Sequence, residues 1–269
     1  VEIRPRRVVP AFAPSRQVGG ELADTSPMLR KPAATSCEVV HTQWTARLVC
    51  AKLFQLLVVG LVLVVWLAAR SSLAWDPERL TALASRHDPA VQQSVRSLLD
   101  TIGRAAAMPD ESRLEAINQF FNRRIFFRED VEVWGQVDYW ASPLETLVRG
   151  QGDCEDYAIA KYFSLLVSGV QPAKLRLVYV RAVLGPPASP PVAHMVLAYY
   201  PAQGAEPLIL DNLVPEVLPA SRRRDLTPVF SFNTEGLWQG TQGSEAGDPL
   251  ARLSRWREVV AKVREQGFL

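Results

Sequence analysis

Residues 53–69, LFQLLVVGLVLVVWLAA, carry no charged side chain and follow Arg47 and Lys52. A run of this kind is either a membrane-spanning helix or the apolar region of a signal peptide. It therefore divides the chain before any other feature is considered. Ser72-Leu73-Ala74 has the small-x-small pattern that a signal peptidase accepts, so cleavage after Ala74 is expected, with retention of 53–69 as a single anchor the alternative. Both outcomes put residues 75–269 outside the cytoplasm. Residues 47–74 thus form the signal or anchor segment. Residues 1–46 are rich in Pro, Ala, Arg and Ser and show no periodicity. They read as a disordered or mis-called extension, with the true start expected downstream, at Val39, Val40 or Val49.

The split makes charge and cysteine content informative. Of 30 Lys+Arg and 28 Asp+Glu, residues 1–74 hold 9 and 4, which leaves 21 against 24 in residues 75–269. The exported part is mildly acidic, so the overall +2 does not point to nucleic acid, and Arg222-Arg223-Arg224 reads as a solvated turn. Of the three cysteines only Cys154 lies beyond residue 74. No disulfide can form within the exported part, and an unpaired thiol in an oxidising compartment is a liability unless it is buried or used.

Asp76-Pro77 and Asp88-Pro89 each read as an N-cap with proline at the first helical position. Val91, Val95, Leu98, Leu99 and Ile102 then recur at helical spacing, and a further helix opens at Asp110 with Leu114, Ile117, Phe120 and Phe121 on one face. Together these predict a helical lobe from Asp76 to Arg124. Residues 125–141 are aromatic and irregular. Ser142-Pro-Leu-Glu145 is a capping box opening a short helix that stops at Gly150. A second helix starts near Cys154 and runs to Ser168, apolar almost all round, which marks a buried central helix. Strands are expected over 175–184, 192–200, 208–210, 229–232 and 237–238, with an amphipathic closing helix from Asp248.

Within that order, Cys154, His194 and Asp211 can act together. A helix N-terminus favours a thiolate, a strand histidine packed against the helix can take its proton, and a carboxylate on the next strand can fix the imidazole tautomer. The Cys154 amide is a natural oxyanion donor, and Trp134, Gln136 and Trp140 are open candidates for a second. Each residue also has a bland reading: a buried thiol, a satisfied strand histidine, a turn-capping aspartate. Trp140 reads equally as core or as a docking surface. A zinc site is disfavoured, since no C-x-x-C or H-E-x-x-H spacing accompanies Cys154.

The stretches GDCEDYAIAKY, HMVLAYY, LILDNL and DLTPVFSFNTEGLW resemble the bacterial transglutaminase-like cysteine proteinases, in particular the LapG-type periplasmic proteases. The resemblance runs from about Trp75 to beyond Trp238. It implies an α+β fold of the papain/transglutaminase kind, with an N-terminal helical lobe and a central Cys-bearing helix packed on an antiparallel sheet. It implies a Cys-His-Asp triad, matched by Cys154, His194 and Asp211. It also implies calcium dependence, with metal-linked acids matching Asp153 and Glu155. Asp156 joins them here because hard oxygen ligands cluster around Ca2+, and a bound cation would answer the puzzle of three carboxylates beside a thiol that must ionise. The expected substrate is a large outer-membrane adhesin cut near its N-terminus at a di-alanine-containing site, which promotes biofilm dispersal. The expected partner is a LapD-like inner-membrane cyclic-di-GMP receptor. A transglutaminase or amidase with the same triad, and a non-catalytic calcium-dependent adaptor, are the alternatives.

Overall fold

The computed structural model describes residues 75–186, 189–241 and 245–269; the predicted extension at 1–46 and the segment at 47–74, including the apolar run 53–69, lie outside them. No described helix is long and apolar enough to cross a membrane.

Three helices form the expected lobe: α1 (Pro77–Ala84), α2 (Pro89–Ala106) and α3 (Asp110–Arg124). Asp76 and Asp88 cap the first two, each accepting a backbone N–H at 2.9 Å with proline following. The stripes at Val91, Val95, Leu98 and Ile102 and at Leu114, Ile117 and Phe121 are buried, and they close on the central helix rather than forming a separate core.

The aromatic stretch is more ordered than its sequence suggests. β1 (Phe126–Phe127) pairs in parallel with β2 (Gln151–Gly152), and α4 (Asp130–Trp134) follows β1. Two strands of two residues each are invisible to pattern reading, because no alternation develops over so short a length. Their effect is large, since they dock residues 126–134 against the turn that precedes Cys154. Between them, α5 (Pro143–Arg149) carries the predicted capping box, with Ser142 and Glu145 reciprocally bonded at 3.3 and 2.8 Å, and ends on left-handed Gly150.

The central helix α6 (Cys154–Val167) buries every residue from Asp156 to Leu165. It lies on a sheet ordered β6-β5-β4-β3-β7-β8-β9. Its strands are β3 (Leu175–Ala182), β4 (Val192–Tyr199), β5 (Leu208–Leu210), β6 (Leu218–Pro219), β7 (Leu226–Phe232), β8 (Leu237–Gln239) and β9 (Glu245–Gly247), and every pairing is antiparallel. Strand alternation sends Leu177, Met195 and Leu197 into the core with α6, and Val178, Val180, Val196 and Ala198 to the opposite face. The fold is therefore the predicted α+β arrangement of helical lobe, central helix and antiparallel sheet.

The C-terminal segment is two helices rather than one, α7 (Pro249–Arg252) and α8 (Ser254–Glu265), broken at extended Leu253. Trp256 on α8 is fully buried, stacked on Phe163 of α6 at 5.5 Å, and its indole N–H reaches the Asn233 carbonyl at 3.2 Å. Truncating Phe163 to alanine in such a setting costs about 3–5 kcal/mol. Beyond α8 the chain returns to its start. The Asp76 N–H donates to the Gly267 carbonyl at 2.7 Å, and Trp75 lies 5.1 Å from Phe268. Gly267 sits at φ 87°, where a Cβ would come within 2.6 Å of the Asp76 carbonyl, so only glycine permits this closure.

Candidate active site

Cys154 is the first residue of α6, with Asp153 before it as N-cap. The approach is tight. A Cβ on Gly152 would fall at or within 3.0 Å of three Asp156 side-chain atoms, so glycine there is what lets the Asp156 carboxylate fold back beneath the turn. The thiol donates to Glu155 Oε2 at 2.8 Å, and the backbone N–H of Met195 is near enough to oppose the upward push on its pKa. Met195 follows His194 directly, so the sulfur lies one residue along β4 from the imidazole. β5 pairs with β4 only over Leu197 to Tyr199 and so ends short of the level of His194.

His194 is 4% exposed, and its Nε2 meets Asp211 Oδ1 at 2.8 Å. Nδ1 is the nitrogen left over. Asp211, one residue past β5, is held on every side. Its carbonyl accepts from Asn122 of α3 at 2.7 Å, Oδ1 also accepts from the Leu213 N–H at 3.1 Å, and Oδ2 accepts from Arg223 Nη2 at 2.7 Å. Burial alone would raise its pKa. The bonds from His194, Leu213 and Arg223 outweigh burial and bring the carboxyl down to about 2. The sequence reading of 222–224 as a solvated turn fails at its middle residue: Arg223 is 4% exposed and bridges Asp211 to Asp225 at 2.7 Å on each side. A run of three arginines gives no periodic signal for which one turns inward.

The expected acids divide into two groups. Asp153 and Glu155 flank the sulfur. Asp153 and Asp156 instead converge with Asp130, one oxygen from each lying within 4.8 Å of the others, all three residues being buried. Asp130, on α4, was not foreseen; β1 and β2 bring it across from 21 residues before Gln151. In Asp130 and Asp156 one oxygen is anchored by a backbone N–H, of Tyr139 and Ala141 respectively. The other oxygens, Asp130 Oδ1 and Asp156 Oδ2, are buried without a partner, as is Asp153 Oδ1. Burial, then mutual repulsion with Glu155 and neighbouring acids, pushes Asp153 up to about 10, and burial pushes Asp130 up to about 6. Asp156 is raised as well, again by burial. Three converging carboxylates, each with one oxygen left without a partner, fit a hard divalent cation. The thiol shares their surroundings: burial and the Glu155 carboxylate drive its pKa upward.

Among the second-donor candidates, Trp140 belongs to the core, stacked on Phe232 at 5.6 Å. Trp134 Nε1 is buried without a partner, and Gln136 is exposed.

A thiol heading a buried helix, laid against a strand whose imidazole is bonded to a carboxylate at the end of the neighbouring strand, is the arrangement of a transglutaminase-like cysteine protease. Comparison with known proteins agrees. The family model described as bacterial transglutaminase-like cysteine proteinase matches residues 96–225, a stretch that contains Cys154, His194 and Asp211. Legionella pneumophila LapG in its EGTA-treated form is 37% identical, covering 70% of this chain and 98% of that one, with a TM-score of 0.62. The calcium-bound form of the same protein gives 36% identity, 70% and 99% coverage and a TM-score of 0.61. No curated protein sequence matches. The chain belongs to the bacterial transglutaminase-like cysteine proteinases.

Proposed function

We propose that the protein is a calcium-dependent periplasmic cysteine endopeptidase that cuts the N-terminal region of a large outer-membrane adhesin at a di-alanine-type site, under control of a LapD-like cyclic-di-GMP receptor. The observation that carries this reading is the coincidence of two features about α6: the His194–Asp211 hydrogen bond, which joins β4 to the end of β5, and the orphaned oxygens of Asp130, Asp153 and Asp156 at the residues that open the helix. The nearby LapG structures in calcium-bound and EGTA-treated forms point to calcium as the ion.

His194 Nδ1 takes the proton from Cys154, and Asp211, fixed by Arg223, holds the imidazole in the tautomer that leaves Nδ1 free. The sulfur attacks the substrate carbonyl carbon, and the Cys154 backbone N–H, at the start of α6, stabilises the oxyanion. The departing amine takes its proton from His194, leaving a thioester. Water, deprotonated by His194, then hydrolyses the thioester and regenerates the thiol. Asp130, Asp153 and Asp156, with Glu155 alongside, would hold the cation. When bound, it offsets the carboxylates that otherwise oppose a thiolate. The exposed Phe126, Phe127, Val131 and Val137 border this side of the molecule and suit contact with substrate or receptor.

The test is incubation of purified protein with the N-terminal fragment of the adhesin, with calcium or EGTA and with a labelled amine. A cut fragment in calcium only, absent for Cys154→Ala, supports the reading. Incorporation of the amine without cutting makes the protein a transglutaminase. Receptor binding without either reaction makes it an adaptor.

A further inference from the structure

The helical lobe carries a groove that contains none of the residues described at Cys154. It lies between α2 and α3 and encloses about 530 Å³. Its apolar lining is Met108, Ala116 and Phe120, its charged lining is Arg104, Arg123 and Arg124, and no aspartate or glutamate borders it. Two of the guanidiniums are steadied by neutral groups. Arg104 Nη2 donates to Thr101 Oγ1 at 3.2 Å, and Arg124 Nη1 donates to Ser94 Oγ at 3.2 Å while its guanidinium carbon lies 5.0 Å from the centre of the Phe120 ring. None of the three arginines is ion-paired among the described residues. Their places in the last turns of α2 and α3 suit the helix dipoles, but a dipole consumes none of their remaining N–H groups. The setting sharpens the contrast. Residues 75–269 hold 21 Lys+Arg against 24 Asp+Glu, so three unpaired arginines around one groove make a local positive field on an acidic domain.

We propose that this groove docks an acidic segment of a partner protein, in which carboxylates meet Arg104, Arg123 and Arg124 and an apolar side chain rests against Met108, Ala116 and Phe120. Charge and shape select this occupant. Guanidinium forks match carboxylates, often with two bonds at once, and a peptide segment enters a groove between helices, which a flat lipid surface does not. The acidic balance of the domain disfavours nucleic acid. Residues 1–74, with 9 Lys+Arg against 4 Asp+Glu, have the wrong sign to fill the groove themselves. Ion pairs made at an open groove are individually weak and are screened by salt, so the docking is reversible. The proposal does not depend on the protease reading above.

The probe is a fluorescein-labelled octapeptide of alternating Glu and Leu, with a peptide of alternating Gln and Leu as its neutral counterpart. Titration with purified protein should give a saturable anisotropy change for the Glu peptide and none for the Gln peptide over the same range. Raising NaCl from about 50 to about 500 mM should weaken binding about tenfold. Arg104→Gln combined with Arg123→Gln should weaken it about threefold or more, whereas Arg264→Gln, at an exposed arginine on α8, should leave it unchanged. Methionine-methyl NMR locates the peptide: Met108 should shift, and Met195, beside His194 on β4, should not. Should the double variant not fold, the Glu–Gln comparison and the Met108 shift on the wild type decide. Equal binding of the two peptides, full binding by the folded double variant, an equal loss in Arg264→Gln or an unmoved Met108 overturns the proposal. A Met195 shift also overturns it, by placing the peptide at the active site. So does sedimentation of the protein with phosphatidylglycerol vesicles that is lost in the double variant and unopposed by the Glu peptide, which gives the groove to a membrane. Failure of the protease reading shows separately, as absent cleavage, and leaves every one of these measurements able to decide the groove.

Discussion

Removing the cation should make the protein least stable where its carboxylates most need to ionise. Without an ion, burial holds the Asp130 carboxyl at about 6 instead of 3.8, so ionising it at pH 7.5 costs about 3 kcal/mol. The native carboxyl is the weaker acid, so between about pH 4 and 6 the folded state binds the extra proton and the metal-free protein loses stability as pH rises. Asp153, raised to about 10, extends that loss to higher pH. A bound divalent cation replaces the missing positive charge and removes the penalty. For a domain of this size about 3 kcal/mol corresponds to a melting shift of about 6–12 °C. Melting curves of EGTA-stripped protein with and without excess calcium should therefore differ by at least about 6 °C at pH 7.5 and by clearly less at pH 5. Asp130→Asn in EGTA should be more stable than its parent at pH 7.5 and should lose most of the calcium response. An equal calcium shift at both pH values, or a parent-sized response in Asp130→Asn, would refute the assignment of Asp130 to the cation site.

Alkylation of Cys154 by iodoacetamide at pH 7.5 should be faster in calcium than in EGTA, because burial and Glu155 raise the thiol pKa and the cation opposes both; mass spectrometry of the modified peptide reads it directly. Lys161 is fully buried with no partner for Nζ, and burial lowers its pKa to about 7 from 10.5. The unfolded chain therefore binds the extra proton between about pH 7 and 10.5, and stability rises with pH across that window. Lys161→Met should stabilise the fold by about 1–4 kcal/mol at pH 7 and flatten that rise, as measured by urea unfolding. Arg223→Met strands the Asp211 carboxylate and should destabilise by about 3–5 kcal/mol in the same assay, with peptidase activity falling in parallel.

What the sequence displays and what it hides follow from the range of the interactions. The caps at Asp76, Asp88 and Ser142 act within three residues, and the all-apolar face of α6 is a local pattern, so both could be read directly. The Cys154, His194 and Asp211 positions followed from element order. Asp130 could not, because its meeting with Asp153 and Asp156 depends on two-residue strands whose pairing carries no alternation. Arg223 was hidden differently: its charge matches its neighbours, and only the folded contact with Asp211 shows which guanidinium turns inward. The break of the closing helix at Leu253 is tertiary too, since the amphipathic stripe runs through it unchanged.

The clasp between Asp76 and Gly267 makes the two ends of the folded body near neighbours. A circular permutant that bridges them with a few flexible residues and opens the chain at the surface turn near Ala202 should fold around the same core. In it the strand leading into Asp211 would precede the cysteine helix in the polypeptide. Hydrolysis by such a rearranged molecule would show that the chemistry depends on the spatial meeting of these groups, and that the order of translation is incidental.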